Sequence, residues 1–115
     1  IDASRQRALC NGKVRKSFIG IDAMISPTVI RPPHYVDDAI NYGPMDDRRG
    51  TSFQRFTVPF DYNGYPTVSV PSGLNEDGLP LSIQVSGSPL TEPMLCRIAR
   101  TYEKGLALTN FHPDL

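Results

Sequence analysis

Two short runs of strict alternation, separated by one turn, constrain this chain more than anything else in it. TVSV at 67–70 puts Val68 and Val70 on one face of an extended segment. LSIQVS at 81–86 puts Leu81, Ile83 and Val85 on one face and Ser82, Gln84 and Ser86 on the other. Between them NEDG at 75–78 is a turn signature, so residues 66–86 predict a hairpin or two neighbouring strands. The second run raises a question. A central glutamine suits a solvated face if the hairpin stands alone. It suits a covered face in a larger sheet, where its amide must find hydrogen-bond partners.

The flanking segments extend the outline. Residues 4–18 predict a basic helix burying Ala8, Leu9, Val14 and Phe18, with Gly12 weakening its middle. IDAMISPT at 21–28 predicts a short buried strand stopped by Pro27. Thr51 or Ser52 can N-cap a helix that Pro59 should stop or kink. At the other end Thr91 reads as the N-cap of an amphipathic helix, with Glu92 and Pro93 in its first turn. Leu95, Ile98, Ala99 and Tyr102 form its stripe and Gly105 its C-cap. Helix, strand, long loop, helix, two strands, helix is an α/β or α+β pattern.

A chain of 115 residues can bury the core of one domain. The 11 prolines, about twice the usual share, point elsewhere. Pro27, Pro32, Pro33 and Pro44 fall within a stretch to Gly50 that has no sustained apolar period. So long a connection is unusual inside a small self-contained domain. With Ile1 in place of an initiator methionine, it predicts part of a larger unit lying across its own missing portion.

Composition removes several functions. Twelve basic and 12 acidic residues leave no electrostatic footprint for nucleic acid or an anionic membrane. No apolar run reaches the roughly 18 to 20 residues that span a bilayer. Cys10 and Cys96 lie far apart without metal-ligand spacing and read as reduced, buried or neutral thiols in a cytosolic setting. His34 and His112 each adjoin a proline and read as surface or packing residues; DDRR at 46–49 reads as a solvated turn. There is no G-x-S-x-G elbow, no phosphate-binding loop and no serine or cysteine beside a base. The residues themselves support no nucleophile, metal or cofactor.

Taken together, three blocks resemble a known family. FTVPFDYNGYPTVSVPSGLNEDGLPLSIQVSG at 56–87, followed by PLTEPMLCRIARTYE at 89–103, is similar to the C-terminal blocks of the amidase signature enzymes. RKSFIGIDAMISPT at 15–28 resembles the strand that precedes them, and all blocks stand in the family's order from about Arg7 to Pro113. The resemblance implies an α/β amidase-signature fold, a mixed sheet covered by helices. Residues 1–115 would be the C-terminal segment of a single amidase domain, not an independent domain. It implies a cytoplasmic serine-dependent hydrolase of linear amides that uses paired serines, a lysine base and a Gly/Ser-rich oxyanion segment, with no cofactor. Such a lysine must be neutral to accept a proton, which requires burial or a cationic neighbour. None of that machinery is visible here: Lys13, Lys16 and Lys104 read as ordinary helix lysines. The chain would complete the sheet and substrate pocket, be inactive alone, and have as partners the rest of the amidase and a small-molecule amide.

The resemblance also assigns residues. Arg7 stands where glutamine-using subunits place an arginine for the substrate carboxylate, a role suited to a guanidinium fork; a plain helix-surface arginine is the competing reading. Gln54 stands where those subunits carry an aspartate, which counts against the A-type subunit of a glutamine amidotransferase and for an amidase of neutral substrates. Phe53, Thr57 and Phe60 are pocket or core residues. Asp61 replaces the family's usual asparagine, and Ser82 its glycine. Gln84 becomes a structural tie to the rest of the protein. The alternatives are a non-catalytic packing or partner-binding module and a protein like the A-type glutamine amidotransferase subunits.

Overall fold

The alternating runs pair as predicted. In the computed structural model, which describes residues 2–32 and 54–106, β2 (Thr67–Leu74) and β3 (Pro80–Gly87) form an antiparallel hairpin. Val68 faces Val85, Ser69 faces Gln84 and Val70 faces Ile83, with a bulge between Pro71 and Gly73. Thus β2 runs beyond the TVSV stretch, the bulge absorbing the irregular PSG sequence. Asn75 organises the turn. Its Oδ1 accepts the N–H groups of Asp77 at 3.1 Å and Leu79 at 2.7 Å, and its own N–H donates to the Leu79 carbonyl at 2.9 Å. Gly78 closes the turn at φ 76, where a Cβ would be strained. Asn75→Ala leaves two amides without their acceptor and should cost about 1–2 kcal/mol in urea unfolding; an unchanged midpoint would remove this residue from the turn's energetics.

A third strand, β1 (Ala23–Pro27), adds antiparallel to the other side of β3, giving the order β1-β3-β2. Ala23 faces Gly87, Ile25 faces Val85 and Pro27 faces Ile83. The Thr28 N–H donates to the Ser82 carbonyl at 3.1 Å, and the Gly87 N–H to the Pro66 carbonyl at 3.1 Å. Antiparallel alternation then sends the backbone groups of the even-numbered β3 residues to β1 and of the odd-numbered ones to β2. β3 is therefore paired on both sides, while β1 and β2 are edges among the described residues. This corrects the expectation of a buried strand at 21–28: the strand is shorter, and Ile25 within it is 63% exposed. Its apolar run resembles a buried strand in composition, but among the described residues only β3 pairs with it.

The two faces of the sheet differ. α3 (Glu92–Leu106) lies on β2 and β3, burying Leu95 and Ala99 on the face that carries Val70 and Val85. Gly87 makes this approach possible, because a methyl there would run into the Thr91 hydroxyl and lie 3.1 Å from Leu95 Cδ2. α3 begins as expected: the Thr91 carbonyl accepts the N–H groups of Met94 and Leu95. The Thr91 hydroxyl donates backward to the Ser88 carbonyl at 2.6 Å. Gly105 is not its C-cap but an interior residue, since the helix continues to Leu106. The opposite face buries Gln84 and Ser86.

The two remaining helices pack on each other. α1 (Asp2–Ser17) passes through Gly12 unbroken, and α2 (Val58–Asn63) contains Pro59 in its first turn. Proline starts this helix instead of stopping it, because no intrahelical bond is lost at that position. Of the four positions expected to be buried in the first helix, only Phe18 is, just beyond α1, with its ring 5.6 Å from that of Tyr65. Val14 is half-buried and Ala8 and Leu9 are exposed, since α1 packs mainly on α2. The loop from residue 33 to Gly50 with His34 and DDRR, the caps Thr51 and Ser52, and His112 lie outside the described residues.

Candidate functional site

Of the residues assigned to substrate, Arg7 lies on α1 and Gln54 and Thr57 lie in the turn before α2. Arg7 is exposed on α1, its Cζ 5.6 Å from the centre of the Tyr62 ring on α2. A guanidinium at that distance over a ring face makes a cation–π contact. The Tyr62 hydroxyl donates to the Ala3 carbonyl at 3.2 Å and so ties the helices at a second point. Gln54 and Thr57 meet through the backbone. The Gln54 carbonyl accepts the N–H groups of Thr57 and Val58, both at 3.0 Å, and the Thr57 hydroxyl at 3.2 Å. This turn launches α2. Phe53 lies outside the described residues. The structure thus brings Gln54 to Thr57 and Arg7 to Tyr62. Sequence alone does not single out Tyr62, because its role depends on how two helices approach.

Between α1 and α2 runs an open, almost wholly apolar groove of about 310 Å³, lined by Cys10, Val14, Val58, Pro59, Tyr62 and Asn63, with the Lys13 side chain at its wall. Asn63 Oδ1 accepts the Tyr65 N–H at 2.8 Å, while its Nδ2 is buried and unpartnered among the described residues. Cys10 and Cys96 are both free, in keeping with reduced thiols, and both are exposed, which corrects only the expectation of burial. Among the described residues no group of three His, Cys, Asp or Glu side chains could hold a metal ion, and no helix is long and apolar enough to cross a membrane.

A second constellation lies on the polar face of the sheet. Ser26 on β1, Gln84 on β3 and Ser69 on β2 stand in one row across it. Ser86 and Ser82 flank Gln84, and the Thr28 hydroxyl donates to Ser69 Oγ at 3.4 Å. Gln84 is 2% exposed, and its Nε2 donates to the Phe56 carbonyl at 3.0 Å. Its partner therefore lies within this chain, in the turn before α2. Sequence reasoning has no means of finding Phe56, because the group used is a main-chain carbonyl. The hydroxyls of Ser26 and Ser86 are buried without a partner among the described residues. Among the described residues this face presents hydroxyl and amide groups, donors and acceptors suited to orienting an amide.

Known proteins place the chain. The family model described as Amidase matches residues 1–96. The A-type subunit of glutamyl-tRNA(Gln) amidotransferase from Myxococcus xanthus is 34% identical over 106 residues, covering 89% of this chain and 20% of that protein. The fatty acid amide hydrolase of Medicago truncatula is 34% identical over 88 residues, covering 76% of this chain and 14% of that one. Among solved structures, 6-aminohexanoate cyclic dimer hydrolase superposes with a TM-score of 0.74 at 31% identity, over 89% of this chain and 23% of its own. The chain spans about a fifth or less of the length of these curated relatives. The three-stranded antiparallel sheet with its helices is a partial amidase-signature fold, and the chain belongs to the amidase family.

Proposed function

We propose that this chain is the C-terminal part of a cytoplasmic, cofactor-independent serine hydrolase of linear amides, and that it completes the core sheet and one wall of the substrate pocket. The family match over residues 1–96 carries the reading, and two of the similar proteins are hydrolases by name, one of them of fatty acid amides. The serines and lysine that perform the chemistry would come from the remainder of the enzyme; this segment supplies shape and orientation. Arg7 would take a substrate carboxylate, and Phe53, Gln54 and Thr57 would line the pocket next to α2. Gln84 would hold the sheet to the turn before α2 through the Phe56 carbonyl.

The test is ammonia release from a panel of linear carboxamides. The full-length gene product should cleave at least one of them, and the 115-residue chain alone none. Turnover by the isolated chain, or inertness of the full-length enzyme across aliphatic, aromatic and fatty-acyl amides, would remove the reading. In the full-length enzyme Arg7→Ala should raise KM for carboxylate-bearing amides about 10- to 100-fold, the worth of a charge-assisted hydrogen bond. KM for neutral amides should not change. Equal KM changes for both classes would leave Arg7 as a helix-surface residue over Tyr62.

A second reading, one subunit of a glutamine-dependent amidotransferase, is favoured by the Myxococcus xanthus relative of that name. Gln54 in place of the expected aspartate counts against it. Glutamine turnover by the full-length enzyme would decide for it.

A further inference from the structure

We infer that Asn63 is a site of self-modification, where the backbone nitrogen of Gly64 displaces the side-chain amide and leaves aspartate or isoaspartate at the end of α2. The reaction uses this chain's own amide and water, and needs nothing from the active site of the full-length enzyme.

The chain holds two Asn–Gly pairs, Asn11–Gly12 and Asn63–Gly64. Glycine suits the attack, because no side chain stands in the way as its nitrogen approaches the asparagine Cγ. In exposure the pairs match. Both asparagines are half-buried, both glycines are exposed, and neither glycine has a neighbour within 4 Å of where a Cβ would sit. They differ in backbone. Gly12 lies inside α1, where its N–H belongs to the hydrogen-bonded ladder with further turns on both sides. Gly64 caps α2, a helix of 6 residues, at φ 74 and ψ 23. Its N–H donates to the Phe60 carbonyl at 2.8 Å and closes the last turn. Helix ends fray at far lower cost than interiors open, so the nitrogen of Gly64 is released more often.

The side chains differ in the same direction. Negative charge gathers on Oδ1 as the nitrogen adds to Cγ, and a donor already aimed at that oxygen stabilises it. Asn63 Oδ1 has such a donor, the Tyr65 N–H at 2.8 Å. Asn11 Oδ1 is buried without a partner among the described residues. At Asn63 it is Nδ2 that has no partner among them, so its departure breaks no hydrogen bond there.

The steps balance with water as the only co-reactant. A solvent base takes the Gly64 proton, the N–Cγ bond forms, the Cγ–Nδ2 bond breaks, and the side-chain nitrogen leaves as ammonia. Water then opens the cyclic imide. Opening at Cγ gives aspartate, a carboxylate at the C-terminal end of α2, where the helix dipole opposes it. Opening at the main-chain carbonyl gives isoaspartate and adds a carbon to the backbone just before Gly64 and Tyr65. The Tyr65 ring lies 5.6 Å from that of Phe18, so this product strains a contact of the core. Each chain releases a single ammonia, which a steady rate of amide turnover does not resemble.

Peptide mapping of the full-length protein during incubation at mildly alkaline pH tests the site, with unstructured peptides spanning each Asn–Gly pair as references. Asn63 should convert no more than about 100-fold more slowly than its peptide, the cost of opening a terminal turn. Asn11 should be slowed at least about 10-fold more than Asn63, relative to its own peptide. The Asn63 product should contain isoaspartate, which only the cyclic route yields, and Asn63→Gln should abolish the mass gain. Greater slowing at Asn63, a smaller difference between the two sites, a product of aspartate alone, or a mass gain that persists in Asn63→Gln would each overturn the inference. The decisive comparison is between two sites of one wild-type protein, so no variant has to fold for it.

Discussion

Leu95→Ala should lower the unfolding free energy by about 3 kcal/mol, the usual range for emptying a well-packed leucine site. Leu95 is 2% exposed on α3, on the face of the sheet that carries Val70 and Val85. Its Cδ2 and Cγ also line the space above Gly87. Gly87→Ala should be costly for the opposite reason, by about 2 kcal/mol, because the new methyl must displace both Leu95 and the Thr91 hydroxyl. The two changes should not add. With Leu95 truncated, the methyl added at Gly87 enters space that Cδ2 has vacated, and the double variant should be more stable than the sum by about 1 kcal/mol. Urea unfolding of the four proteins measures this coupling. Additivity within about 0.3 kcal/mol would leave the Thr91 hydroxyl, and not Leu95, as the group that keeps a side chain out of position 87.

The second large effect is expected at Gln84, and the choice of replacement separates its causes. Gln84→Met keeps the volume and removes the donor, leaving the Phe56 carbonyl without its side-chain partner; the expected cost is about 1–3 kcal/mol. Gln84→Glu adds a buried charge pointed at a carbonyl oxygen. At about pH 8 it should be the worse of the two, because desolvation and the facing oxygen both oppose ionisation. The sign of the pH dependence follows. Burial raises the folded-state pKa of the new carboxyl above its unfolded value, so the penalty develops as pH rises and is relieved as pH falls. At about pH 4–5 the protonated carboxyl can donate to Phe56, and the two variants should converge or change order. Equal, small effects at both pH values would mean that the bond to Phe56 contributes nothing.

What can be read from the residues is what depends on neighbours in sequence. The hairpin follows from two alternating runs and an Asx turn, and α3 from its stripe and first turn. Burial of Gln84 can be anticipated, whereas its partner cannot, since Phe56 lies 28 residues away and contributes a main-chain oxygen. β1 has the composition of a buried strand and the pairing of an edge, and composition does not count neighbours. Pro59 marks a helix boundary as expected but in the opposite sense, because a proline that ends one helix can equally begin another. At the candidate site, Arg7 can be named, but the ring beneath it cannot: Tyr62 reaches it only because α1 lies along α2. Leu9 shows the same limit in reverse, an apolar side chain that is left exposed among the described residues.

The prolines at the strand edges have one more consequence. In β2, as in β1, alternation turns one proline outward: Pro71 on one border of the sheet and Pro27 on the other. Each deletes a donor from the ladder that an identical chain would need for continuous stacking. Both borders can still pair with a short stretch of strand, but neither offers an uninterrupted ladder. The same two residues would act as gatekeepers against edge-to-edge stacking of identical chains.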